Sequence, residues 1–231
     1  MSQLQFDGRA VIGGQRVAAL SGATFSCISP VDGRVLTEVA QCSAADIDRA
    51  VGAARTAFDD KRWRGLPPAQ RKRIMVKFAD LLLENADALA LTETLDMGKP
   101  VKYARAVDVN SAANCIRWYG EAVDKVYDEI APTADTALAL ITREPVGVVG
   151  VVVPWNYPMI MAAWKIAPAL AVGNSVVLKP SEKSPLTALR LADLALEAGI
   201  PDGVFNVVPG FGPEAGSPLA LHMDVDCIAF T

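Results

Sequence analysis

Two short runs of β-branched apolar residues, 148–153 and 175–178, bracket a stretch, 158–170, that is apolar almost all round. Runs without polar alternation are strands buried on both faces, and an all-round apolar stretch of that length is a buried helix. Pro154 ends the first strand, and Gly173 with Asn174 stops the helix. Strand, helix and strand within about thirty residues form one βαβ unit. Further on, 185–198 predicts an amphipathic helix closed by Gly199, and 204–208 and 225–230 predict a third and a fourth buried strand. The fold class expected is α/β, a Rossmann-like parallel sheet with flanking helices. Such sheets take their ligands beyond the carboxyl ends of the strands. Those ends carry the polar clusters of this region, Trp155 with Asn156 and Lys179 with Glu182.

The first half of the chain is patterned differently. Residues 9–18 alternate around Gly13 and Gly14, and 24–39 alternate around a Pro-Val-Asp-Gly turn, so each predicts a hairpin. These strands are expected to pack as an outer ribbon on the larger fold. Ser43 with Asp46 forms a capping-box pattern that opens a helix to about Phe58, with Ile47, Ala50, Val51 and Ala54 as its apolar stripe. A second helix is predicted from about Pro67 to Leu95, its run of Arg71, Lys72 and Arg73 read as a solvated face. Met97–Pro100 is a helix stop and restart, and a third helix continues to about Val123 with Ile116, Trp118 and Tyr119 as core anchors. Residues 125–143 break the helical pattern and predict an extended hairpin whose apolar Leu138, Leu140 and Ile141 must be covered by something.

Composition narrows the class. At 231 residues, 52% hydrophobic and 21% charged, with mean hydropathy +0.26, the chain suits an α/β protein with much buried sheet. A net charge of −4, without charge blocks, implies no nucleic-acid partner. The opening MSQLQFDGRAVIGG lacks the basic flank and apolar run of a secretory signal, and no apolar stretch predicts a membrane span. Cys27, Cys42, Cys115 and Cys227 are scattered, and the sole histidine, His222, stands alone, so neither a metal site nor a disulfide framework is expected. A cytoplasmic location follows as the expectation. Cys227, inside an apolar run, reads as an inert core residue, and Lys165, the one charge in its helix, as facing a cavity or a carboxylate.

PWNYP, the AWKIAPALAVGN that follows it, and KPSEKSPLTA resemble the NAD(P)-dependent aldehyde dehydrogenases. The resemblance runs from about Val31 to the last residue, over the amino-terminal half of that family's usual chain. It implies 1–124 as the amino-terminal part of the cofactor domain, 125–144 as a subunit-bridging ribbon, and 145–231 as the nucleotide-binding core, cut at its fourth strand. It implies a homo-oligomer, dimer or tetramer, and NAD as cofactor with NADP possible. The segments IRWYGEAVDKVYDEI and PWNYPMIMAAWKIAPAL look most like the branch acting on aminoaldehydes from polyamine breakdown, including γ-glutamylaminobutyraldehyde.

The residues alone leave two readings of Asn156 open, a cap on the helix that begins beside Pro158 or a donor at a ligand site. The resemblance implies the second, with its amide holding the oxyanion formed when a cysteine thiolate attacks the aldehyde. Lys179 and Glu182 read either as an ordinary ion pair or, by resemblance, as the pair that hydrogen-bonds the adenosine ribose. A carboxylate there disfavours a 2′-phosphate. Trp155 and the backbone of Val152 and Val153 would line the same groove. The glycines at 210, 212 and 216 have one residue too many for a dinucleotide fingerprint and follow the third strand; by resemblance Gly212 and Pro213 flank the adenine. Tyr157, Met161 and Trp164 stand where the family lines its aldehyde tunnel, and Asp108 in its tunnel-mouth helix, where it could draw in a cation. The nucleophilic cysteine and general-base glutamate come later in the family's chain. This sequence alone is therefore expected to be inactive, the alternative being a non-catalytic nucleotide-binding or assembly fragment.

Overall fold

A computed structural model describes residues 5–231; the first four residues of the opening stretch, read above as lacking a secretory signal, lie outside them. The chain begins with two hairpins, β1 (Ala10–Ile12) with β2 (Gln15–Val17), and β3 (Thr24–Ile28) with β4 (Val35–Ala40). Helix α1 (Ala44–Asp59) is opened by the capping box, in which the Asp46 carboxylate accepts from the Ser43 N–H at 2.9 Å and also from the Leu20 N–H at 2.8 Å. Helices α2 (Pro68–Glu84) and α3 (Ala86–Met97) follow, and Gly98, at φ 84°, closes α3 in the left-handed region. A single turn α4 (Val101–Tyr103), a π-helical turn (Ala104–Val109) and α5 (Asn110–Ala122) complete the amino-terminal half.

A small ribbon, β5 (Glu129–Ala131) against β6 (Ala139–Ile141), separates this half from the sheet strands. These are β7 (Val148–Val152), helix α6 (Pro158–Ala171), β8 (Ser175–Lys179), helix α7 (Leu186–Ala198) and β9 (Phe205–Val207). A π-helical turn (Gly212–Gly216), a short helix α8 (Ser217–Leu221) and β10 (Cys227–Phe230) end the chain. The six-stranded sheet has the order β10-β7-β8-β9-β1-β2, parallel from β10 to β9 and antiparallel beyond. Its two faces build two cores. Val149 and Val151 pack with α6, α7 and the helices behind them, and Val148 and Val177 pack with α1 and α8.

Several elements differ from the expectation. The first hairpin is no outer ribbon: β1 is wholly buried and extends the main sheet through Val11 opposite Val207. Buried Asn206 ties it there, accepting from the Gly13 N–H at 2.9 Å while its amide donates to Val176 and Gly203 carbonyls. The single long second helix is two helices, parted at Asn85, whose side-chain amide bonds back to the Leu81 carbonyl at 2.9 Å. Arg71 is half-buried rather than solvated. Its guanidinium donates to the carbonyls of Arg64, Leu66 and Ala171, and burial lowers its pKa. Trp118 is no core anchor; it stands 62% exposed on α5, while Ile116 is buried. Cys227 is exposed because β10 is the edge of the sheet, with no strand of the described residues paired on its outer side. Among the described residues Lys165 pairs with no carboxylate; its ammonium donates to the Thr231 hydroxyl. Among the described residues, no helix is long and apolar enough to cross a membrane.

Candidate functional site

The register of β7 and β8 sets the site. Val152 lies opposite Lys179, so the two strands end side by side at their carboxyl tips. The Val153 N–H donates to the Lys179 carbonyl at 3.3 Å, and the Ser184 hydroxyl donates to the Trp155 carbonyl at 3.2 Å. Two loops, one leaving each strand, are thereby fastened to each other.

Asn156 sits on the first of these loops, exposed, and its side chain makes no hydrogen bond among the described residues. The cap reading fails for a definite reason: the N-cap position of α6 is Tyr157, at φ −141°, and no side chain caps the helix. Pro158 occupies the first helical position, where its missing N–H costs nothing. The Asn156 amide is left as an unspent donor at the mouth of the strands.

Lys179 ends β8, with its side chain only 4% exposed, and its ammonium meets the carboxylate of Glu182, on the loop that follows, at 3.4 Å. Burial lowers the Lys179 pKa, and the Glu182 charge and hydrogen bond oppose that shift. This is no ordinary surface ion pair. Glu182 is partly exposed and faces a cavity of about 440 Å³ lined by Phe25, Cys27, Asp96, Trp155, Lys183 and Phe211, among others. The π-helical turn holding Gly212 and Pro213 passes near Lys179, since a Cβ built on Gly216 would stand 3.9 Å from the lysine Cδ. Gly212 itself borders open space. The sequence reading missed Phe25 and Phe211, whose rings meet at 5.2 Å between centroids. Nothing in the local pattern of β3 announced that contact, because it joins residues nearly two hundred positions apart.

The tunnel candidates divide. Trp164 lies 56% exposed beside Trp118, Tyr119 and Cys115, around a cavity of about 410 Å³. Met161 is half-buried against the main core, and Tyr157 is 44% exposed with the Lys99 ammonium 3.8 Å from its ring centroid. Asp108 does not stand at a mouth. It is fully buried and takes a 2.8 Å ion pair from Lys99, so it offers no charge to an incoming cation. Of the cysteines, burial pushes Cys42 up to about 12 and Cys27 higher still, so neither is a thiolate at neutral pH. His222 pairs with Asp48 at 3.2 Å, away from the strand tips.

The family model for the aldehyde dehydrogenase family matches residues 17–231, beginning ahead of the Val31 at which the motif resemblance starts. The chain is 53% identical over 228 residues to the NADP/NAD-dependent aldehyde dehydrogenase PuuC of Escherichia coli (strain K12), covering 99% of this chain and 46% of that relative. Among solved structures, an indole-3-acetaldehyde dehydrogenase complexed with NAD+ superposes with TM-score 0.97 at 60% identity, over 98% of this chain and 46% of that one. A γ-glutamyl-γ-aminobutyraldehyde dehydrogenase from Burkholderia cenocepacia J2315 does so with TM-score 0.96, also at 60% identity, 98% and 46% coverage. The chain thus spans about half the length of the relatives it matches.

Proposed function

Because this chain belongs to the aldehyde dehydrogenase family, we propose that it provides the nucleotide-binding and oxyanion-stabilising part of an NAD+-dependent oxidation of an aldehyde to a carboxylic acid. The observation that carries this reading is the pairing of Val152 with Lys179, which sets an unspent amide and a buried ammonium at adjoining strand tips. The fit to a nucleotide rests on donor chemistry. Lys179 has donor capacity beyond its one 3.4 Å contact, and Glu182 offers acceptor oxygens on the cavity side, a pair suited to a ribose diol. Trp155, with the Val152 and Val153 backbone, would flank the nucleotide on one side, and Gly212 with Pro213 on the other. Bound there, NAD+ would supply the hydride acceptor. The Asn156 amide would donate to the carbonyl oxygen as it takes on negative charge. Tyr157, Met161 and Trp164 would line the approach of the aldehyde.

The substrate class this reading favours is an aminoaldehyde, in keeping with the similarity to the γ-glutamyl-γ-aminobutyraldehyde enzyme. Asp108 plays no part in attracting it, being buried and paired. The exposed indoles of Trp118 and Trp164 are the groups that would meet a cationic or apolar tail. Assembly into a homo-oligomer is part of the same proposal. It is supported by the ribbon of β5 and β6, whose Ile130, Leu138 and Leu140 are left uncovered by this chain. Replacing Leu140 by glutamate is expected to lower the sedimenting mass; a mass unchanged by the charge would remove the ribbon from the assembly.

The test of the nucleotide site is titration of the chain with NAD+ and NADP+, followed by intrinsic tryptophan fluorescence. Lys179→Met is expected to weaken NAD+ by at least tenfold. Glu182→Gln should narrow the preference for NAD+ over NADP+ by about tenfold, roughly 1.4 kcal/mol of relieved repulsion. Equal affinities in wild type and both variants would sink the assignment.

A further inference from the structure

Behind Tyr157 the fold gathers charged groups that the proposed site does not use. Glu93 on α3 is fully buried, and neither of its carboxyl oxygens has a hydrogen-bond partner. Asp108, in the π-helical turn, is also fully buried; Oδ1 accepts from the Lys99 ammonium at 2.8 Å, and Oδ2 has no partner. Lys99, 14% exposed at its side chain, has its ammonium 3.8 Å from the Tyr157 ring centroid. One ammonium balances one carboxylate, and Asp108 takes it. A second bare carboxylate beside it would be a buried, unpaired charge of the kind proteins avoid by holding a proton. The hydroxyl of a protonated Glu93 is a donor, and the orphaned Asp108 Oδ2 is an acceptor.

We propose that Glu93, buried without a counter-ion, keeps its proton while Lys99 balances Asp108, so that the three groups are charge-balanced together, and that through Lys99 they position the Tyr157 ring at the entrance to α6. Glu93 and Lys99 are then positioning residues. That Tyr157 matters to an aldehyde rests on the reading above; the unit itself does not. Burial pushes the Glu93 carboxyl up to about 8, the Asp108 charge adds to this, and Lys99 opposes it. Asp96 on the same helix adds further, and the Thr187 hydroxyl, facing Glu93 from α7, opposes it. Between the ordinary value of 4.5 and about 8 the folded chain holds a proton that the unfolded chain has released. Stability therefore declines as pH rises through that window, and above it a second buried negative charge competes for Lys99 and loosens its hold on the ring.

The experiment is NMR of the chain with ring-labelled tyrosine, the Tyr157 signal being identified by its loss in Tyr157→Phe. The wild-type signal is expected to shift with an inflection near pH 8 that disappears in Glu93→Gln, and the urea midpoint of that variant should fall less than the wild type's between about pH 7 and 8, above the range in which buried Asp96, raised to about 7, gives a decline of its own. Lys99→Met should displace the Tyr157 signal at every pH, and Lys99→Arg should restore it. Persistence of the inflection in Glu93→Gln, or a Tyr157 signal indifferent to Lys99→Met, overturns the proposal. If Lys99→Met does not fold, the Glu93→Gln and Lys99→Arg titrations decide alone. None of these measurements needs an aldehyde, so a failed oxyanion assignment would leave them untouched.

Discussion

Asn156→Ala, in a dehydrogenase of the relatives' full length that carries this sequence, is expected to lower kcat by about a hundred- to a thousandfold with NAD+ affinity unchanged. The size follows from the role. A donor aimed at an oxygen that becomes charged only in the transition state contributes about 3–4 kcal/mol there and little in the ground state. The split between kcat and cofactor affinity follows from the geometry, since Asn156 lies on the loop from β7, whereas the ribose candidates are Lys179 at the end of β8 and Glu182 on the loop after it. Loss of a mere helix cap would read out differently: stability would fall by about 1 kcal/mol and activity would follow folding. The structure makes that alternative weak, because the Asn156 side chain bonds nothing in α6. Stopped-flow turnover with urea denaturation of the same variant separates the two. Wild-type turnover would end the oxyanion role.

The strand tips were legible in the sequence because their signals are local. A β-branched run stopped by Pro154, and another stopped at Lys179, announce where each strand ends, and parallel pairing brings the ends together. What could not be read was set by distant partners. The first hairpin looks like any alternating hairpin; it joins the main sheet because buried Asn206, nearly two hundred residues away, receives the Gly13 N–H. Asp108 has the spacing of a solvated helical acid, yet Lys99 folds back across the π-helical turn to neutralise it, and that turn has no composition of its own. Cys227 sits in an apolar run of a strand whose outer edge no strand of the described residues covers, so its hydrophobic neighbours said core where the topology says edge. Arg71 belongs to a basic run in which Arg73 is exposed and Lys72 pairs with Asp124, and only the position of α6 shows why Arg71 turns toward the end of that helix.

Trp63→Ala is expected to destabilise the chain by about 3–5 kcal/mol, the largest loss of stability foreseen for a single side chain. Trp63 is almost wholly buried, and its indole N–H donates to the Leu170 carbonyl at 2.8 Å. Leu170 belongs to the last turn of α6, where carbonyls have no i+4 partner in the helix, and its carbonyl accepts the indole beside the Gly173 N–H at 3.0 Å. The Arg71 guanidinium satisfies Ala171 beside it and sets a positive charge at the negative end of the helix dipole. The same helix carries Tyr157 and the Asn156 loop at its other end, so these two side chains anchor the element that presents the candidate donor. Trp63→Phe keeps most of the packing and removes the indole hydrogen bond, while the Leu170 carbonyl still accepts from the Gly173 N–H at 3.0 Å; about 0.5–1.5 kcal/mol is expected. Urea unfolding of both variants measures the two contributions. If Trp63→Phe costs as much as Trp63→Ala, the bond rather than the packing secures α6; if neither costs more than about 0.5 kcal/mol, the anchoring of α6 lies elsewhere.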